Sequence, residues 1–95
     1  MLEQFFSPKS VAVVGASRTP GKVGHDVLAN LINAGYEGPL YPINPKAEEV
    51  QGLPAYTSVT QVNEPIDLAV IVIPSKFVLQ VIEECAEADV KAVIV

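Results

Sequence analysis

Two uninterrupted apolar runs frame this chain. Val11-Ala12-Val13-Val14 ends at Gly15, and Leu68-Ala69-Val70-Ile71-Val72-Ile73 ends at Pro74. Neither alternates with polar residues, which is the pattern of strands covered on both faces, as in a parallel sheet. A third such run, Ala92-Val93-Ile94-Val95, begins another buried strand. Leu40 to Ile43 is shorter and contains Pro42, so it is expected near a sheet edge. Between these runs the apolar period changes. Val23, Val27, Leu28, Leu31 and Ile32 recur at helical spacing and predict a helix from about Val23 to Ala34, with Gly35 as its C′ residue. Val78, Val81, Ile82 and Cys85 predict a second helix over Lys76–Ala88, with Ser75 as N-cap and Glu83, Glu84 and Glu87 facing water.

The lesser pieces are read more coarsely. Ala47 to Gln51 is expected to make one helical turn, Ala55 to Ser58 a minor strand, and a short helical piece precedes Glu64-Pro65. Phe5 and Phe6 are expected to cap one end of the core. Strands alternating with helices point to an α/β chain, with a Rossmann-like, doubly wound, mostly parallel sheet that is incomplete at its C-terminus. Right-handed crossovers put helices on both faces. Ligands then bind outside the carboxyl ends of the strands, near the switch in strand order. Three loops converge there: Gly15–Gly24, Asn44–Lys46 and Pro74–Lys76.

The first of these loops carries the chemistry. After the first strand come Gly15-Ala16-Ser17-Arg18-Thr19-Pro20-Gly21-Lys22-Val23-Gly24. Gly15 permits a sharp turn. Gly21 and Gly24 keep side chains away from the helix start, where N–H groups are unpaired and the dipole favours an anion. Arg18 and Lys22 add positive charge. The stretch reads as a phosphate cradle.

Composition narrows the partners. Ninety-five residues make one small domain, and a hydrophobic content of 49% supplies a core. The net charge of −5 argues against general nucleic-acid binding. That charge is uneven. Through residue 46, Lys9, Arg18, Lys22 and Lys46 stand against three acids, a balance of +1, while the remainder carries −6. The cations thus gather in the half that holds the loop. Cys85 is the only cysteine, which allows no intrachain disulfide and suits a reducing cytoplasm. No apolar run is long enough to span a bilayer, and no signal peptide is expected.

The nucleotide is not an obvious dinucleotide. The G-x-G-x-x-G spacing is missing, since five residues separate Gly15 from Gly21. The acid that would hold an NAD ribose is replaced by Asn44-Pro45-Lys46. Nor is Gly21-Lys22-Val23 a Walker A ending, which needs Ser or Thr after the lysine. The first two departures, the missing G-x-G-x-x-G spacing and the missing acid, favour a ligand richer in phosphate than NAD.

At these residues the chain resembles the N-terminal coenzyme A-binding domain of NDP-forming acyl-CoA synthetases, relatives of the succinyl-CoA synthetase α subunit. The resemblance covers nearly the whole chain. It rests on Phe6–Ser17, Pro20–Gly24, Tyr41–Lys46, Gly52–Tyr56 and Asp67–Pro74, taken together and in that order. It implies that Ser17 to Gly24, including Arg18, Pro20, Gly21, Lys22 and Val23, wrap the phosphates of CoA. It implies that Asn44, Pro45 and Lys46 line the 3′-phosphate side. Ile73, Pro74 and Ser75 would border the nucleotide and the path to the pantetheine arm.

The family's reaction turns acyl-CoA, NDP and phosphate into acid, CoA and NTP. It passes a phosphoryl group through a histidine in a separate domain. His25 does not match that histidine, and no catalytic residue is expected here. The expected partners are CoA or acyl-CoA and the remaining synthetase domains or a second subunit, with neither nucleic acid nor membrane. The chain is expected to be a fragment of a longer protein. Two other classes stay open: a CoA-sensing regulatory module without chemistry, and an NAD(P)-linked oxidoreductase domain. His25 is expected on the helix surface, and Cys85 in the core.

Overall fold

The computed structural model describes residues 7–95; the aromatic pair Phe5 and Phe6 lies outside them. Four parallel strands form the sheet: β1 (Val11–Val14), β2 (Leu40–Ile43), β5 (Leu68–Ile71) and β6 (Ala92–Ile94), in the order β2-β1-β5-β6. Helix α1 (Val23–Asn33) follows β1, and helix α2 (Val78–Glu87) follows β5. A short hairpin of β3 (Glu49–Val50) and β4 (Leu53–Pro54) and a 3₁₀ turn, Val59–Gln61, connect β2 to β5.

The buried runs place the two central strands as the sequence reading expects. Alternate residues of β1 and β5 feed opposite layers. Val11, Val13 and Leu68 pack with Leu28 of α1 and Val50 of the hairpin. Ala12, Val14, Ala69 and Ile71 pack with Cys85 of α2 and with Val59, Val62 and Ile66. One helix therefore covers each face, and the fold is α/β, Rossmann-like and doubly wound.

Pro42 is tolerated for a geometric reason. Its carbonyl accepts from Tyr56 N–H at 2.9 Å on the side away from β1. Its missing N–H falls on that same outer side, where the sheet demands no donor. At the opposite end of the strands, buried Ser10 joins β1 to β5. Its hydroxyl donates to Pro65 O and accepts from Asp67 N–H, both at 2.9 Å.

Several expectations are corrected. Ala47 to Gln51 is not a helical turn. Gln51 and Gly52 have φ of +52° and +82°, so they form the tight primed turn of the β3–β4 hairpin. The strand expected at Ala55–Ser58 is reduced to a single parallel bridge between Ile43 and Tyr56. Strand β5 stops at Ile71, two residues before the apolar run ends. Ser75 does not cap a helix through its side chain; it opens a 3₁₀ turn, Ser75–Phe77, that leads into α2. Val23, Ile32 and Ile82 are exposed, so the apolar stripes of both helices are narrower than their spacing suggests. The short helical piece before Glu64 is present, as Val59–Gln61.

Both helices end in the same way. Gly35 (φ +78°) donates to Ile32 O, and Tyr36 donates to Leu31 O. Asp89 (φ +60°) donates to Ala86 O, and Val90 donates to Cys85 O. These are Schellman closures, one with the favoured glycine and one with an aspartate held in the left-handed region. Asp89→Gly should therefore stabilise the protein by about 0.5–1 kcal/mol, because the Cβ penalty disappears and only an exposed pair to Lys91 is lost. Thermal denaturation checks this, and an unchanged or lower midpoint would refute it.

Candidate functional site

The switch in strand order lies between β1 and β5, so the chain leaves these strands towards opposite faces and opens a crevice at their carboxyl ends. Gly15 closes β1. Its φ is +95°, and a Cβ there would strike the Val72 carbonyl oxygen. Gly24 lies in the first turn of α1, where a Cβ would strike the Gly15 carbonyl oxygen. Helix and turn thus touch backbone to backbone, which no other residue pair allows.

The N-terminus of α1 is available to a ligand. Lys22 is its N-cap and offers no side-chain hydrogen bond to the first turn. Helix starts commonly gain about 1 kcal/mol from such a cap. Here an external acceptor can take that part, and an anion suits the dipole. Lys22 is exposed beside it. A cleft of about 450 Å³ lies against this helix start, lined by Gly15, Ser17, Lys22, Val23, Gly24, Val72, Ile73 and Pro74. Ser17 also accepts from Thr19 N–H at 3.0 Å, which shapes the loop locally.

A second cleft of about 480 Å³ shares Gly15, Ile73 and Pro74 with the first. Its other walls include Ile43, Pro45, Lys46, Thr57, Phe77 and Gln80. It is mainly apolar, and its charged lining residues are Lys46 and Glu84. Together the two clefts offer a cationic, amide-lined end and a more enclosed apolar end, which fits a ligand that joins phosphates to a ring.

The predicted residues divide accordingly. Gly15, Ser17, Lys22, Val23, Gly24, Ile73 and Pro74 border the first cleft, and Pro45 and Lys46 the second. Arg18, Pro20 and Gly21 form the exposed outer arc of the loop and line neither. Ser75 also lines neither; it belongs to the 3₁₀ turn behind Pro74. Asn44 has a structural task. Its Nδ2 donates to Ala16 O at 3.0 Å, and its Oδ1 accepts from Lys46 N–H at 2.8 Å. It fixes two site loops relative to one another.

Two features escaped the sequence reading. Phe77 borders the second cleft because the 3₁₀ turn displaces the start of α2. Gln51 reaches from the hairpin to the loop between β1 and α1, donating to Ser17 O at 3.4 Å and to His25 O, in the first turn of α1, at 3.0 Å. Residues 50–53 (Val-Gln-Gly-Leu) hold a turn signal in their glycine, but glutamine is not a usual left-handed residue, so the hairpin was masked.

Chemically the site binds and orients. His25 is half-buried and meets Asp26 at 3.1 Å on the helix. Burial pushes the Cys85 thiol up, which keeps it protonated inside the core. Among the described residues no group of His, Cys, Asp and Glu is arranged to hold a metal ion, and no helix is long and apolar enough to cross a membrane.

Comparison with known proteins agrees with this fold. The sequence profile of a family described as the CoA binding domain matches residues 9–95. The chain is 50% identical to the α subunit of ADP-forming acetate–CoA ligase I of Pyrococcus furiosus, over 97% of this chain and 21% of that protein. It superposes on the apo form of a dinucleotide-forming acetyl-coenzyme A synthetase 1 of Ca. Korarchaeum cryptofilum with a TM-score of 0.97 at 47% identity, covering 100% of this chain and 21% of that one. A conserved hypothetical protein of Pyrococcus furiosus matches at 38% identity and a TM-score of 0.82, over 90% of this chain and 72% of that one. The chain thus spans about a fifth of the length of the ligase and synthetase relatives. A crevice at the strand ends beside an open helix start and a family match across residues 9–95 lead to one identification: this chain belongs to the CoA-binding domain family.

Proposed function

We propose that this chain is the CoA-binding module of an NDP-forming acyl-CoA synthetase, in which acyl-CoA, NDP and phosphate give acid, CoA and NTP. The observation that carries the reading is the uncapped helix start at Lys22, packed on Gly15 through Gly24 and facing a cleft. High identity to an ADP-forming ligase subunit supports it. In this reading the loop amides from Ser17 onward and Lys22 hold the diphosphate. Lys46, in the lining of the second cleft, faces the 3′-phosphate. Ile73 and Pro74 form the wall along which the pantetheine arm leaves. The phosphoryl-carrying histidine belongs to another domain or a second subunit, and the parent enzyme works in the cytoplasm.

Titration calorimetry with CoA, dephospho-CoA and NAD tests the assignment. CoA should bind more tightly than dephospho-CoA, and NAD weakest. Lys46→Ala should erase the difference between the first two. Lys22→Ala should weaken CoA by about 1–3 kcal/mol, the range for a charge-assisted hydrogen bond, without unfolding an exposed site. Binding of NAD with none of CoA would overturn the reading.

A second reading, a CoA-binding protein without its own synthetase chemistry, is favoured by one observation. The chain covers 72% of the matching hypothetical protein, so a similar domain makes up most of a much shorter chain. Assay of the native protein for NTP formation from acyl-CoA, NDP and phosphate separates the two. Turnover supports the synthetase, and CoA binding without turnover supports the second reading.

A further inference from the structure

We propose that Gln51 is a positioning residue for the phosphate loop, acting with Asn44 to turn the loop's amide groups towards the ligand. The proposal rests on the CoA-binding reading of the site. Its basis is a pair of carboxamides on adjacent carbonyls. Asn44 Nδ2 donates to Ala16 O at 3.0 Å, and Gln51 Nε2 donates to Ser17 O at 3.4 Å. A trans peptide directs its C=O and its N–H to opposite sides. Holding the Ala16 and Ser17 carbonyls back against the protein therefore sends the Ser17 and Arg18 N–H groups the other way. Those are the donors at the start of the loop.

Gln51 does more than hold one carbonyl. The same Nε2 donates to His25 O at 3.0 Å, in the first turn of α1. The loop from Ser17 to Gly24 is thereby pinned at both ends from a single side chain on the neighbouring hairpin. The hydrogen bond to His25 is the stronger of the two by length, and the one to Ser17 is at the long end of the range.

The backbone at Gln51 makes the choice of residue informative. Its φ is +52°, the first position of a two-residue primed turn. Asparagine or glycine suits that position better, because each enters the left-handed region more readily. Asparagine carries the same amide on a side chain one carbon shorter. A glutamine here gives up turn stability and gains reach across to Ser17 and His25. Local strain of this kind is retained where a site depends on it.

This separates fold from function in one substitution. Gln51→Asn and Gln51→Gly should leave the thermal midpoint unchanged or raise it. Both should raise the Kd for CoA by about five- to tenfold, the worth of roughly one hydrogen bond. In the ligand-free protein, the backbone order parameters of the Ser17 and Arg18 amides should fall relative to those of β1. Gln51→Glu keeps the length but removes the donor, and it should lose at least as much affinity. Wild-type affinity in the Asn variant would overturn the proposal, as would a parallel fall of affinity and midpoint in the Asn and Gly variants. If the unsubstituted protein does not bind CoA, the function proposed above fails. The order parameters then decide the brace by themselves: unchanged values overturn it, and lowered values support it.

Discussion

Gly24→Ala should destabilise the protein by at least about 3 kcal/mol and abolish CoA binding in whatever fraction remains folded. A Cβ at this position meets the Gly15 carbonyl oxygen and carbon and approaches Ala16 Cα to 3.3 Å. All three are backbone atoms, so no rotamer change relieves the clash. Either α1 lifts from the sheet or the β1 turn moves, and each displaces the loop proposed to hold the phosphates. Gly15 cannot yield easily. It has its own contact with the Val72 carbonyl and a φ of +95°. Gly21 is the internal control. Its φ is +93°, yet nothing lies within 4 Å of a Cβ built there. Gly21→Ala should therefore cost only the conformational term, about 1–2 kcal/mol, and should remain folded. Circular dichroism melts of the three proteins check the order. Equal losses at Gly21 and Gly24 would show that packing against Gly15 is not what demands the glycine.

The contrast between these glycines also shows what a sequence can reveal. Gly15, Gly21 and Gly24 are equally visible as letters, and their spacing locates the loop correctly. What differs is the space around each, and that depends on how α1 docks on β1. The buried strands were legible because a run such as Val11–Val14 has a single plausible environment, covered on both sides. The hairpin was not, because its turn uses Gln51 where asparagine would have announced it. The start of α2 was misplaced for a similar reason. Ser75 after Pro74 looks like a cap, but the chain first makes a 3₁₀ turn, which brings Phe77 to the second cleft.

The candidate site residues follow the same division. Lys22 and Lys46 could be named from their loops, since chain order alone carries both to the carboxyl end of the sheet. The task of Asn44 could not. Its letter suits a ligand contact as well as a loop brace, and only the bonds to Ala16 O and Lys46 N–H reveal the brace. Gln51 lies 34 residues from Ser17 along the chain, so no local pattern connects them.

Leu28→Ala should lower stability by about 2–5 kcal/mol, the range for a buried leucine truncated in a core. Leu28 is fully buried, on the inner face of α1, and belongs to the layer formed by Val11, Val13, Ala16, Val50 and Leu68. It is the only fully buried large side chain of that helix, because Val23 and Ile32 are exposed and Val27 and Leu31 only partly covered. The docking of α1 therefore depends heavily on one residue. For a domain of this size the loss corresponds to a fall in Tm on the order of 10–30 °C. Leu28→Met, which keeps the volume, should cost less than about 1.5 kcal/mol. Leu28 touches no part of the cleft, so the damage is to the fold and not to the ligand contacts. Saturating CoA should then restore stability by mass action, about 2.7 kcal/mol at one hundred times Kd, in the variant as in the parent. A melting series with increasing CoA tests both halves of the claim. A small loss of Tm would show that other contacts hold α1 in place. A normal loss with no recovery in CoA would show that the helix start, although refolded, no longer presents its amides to the phosphates.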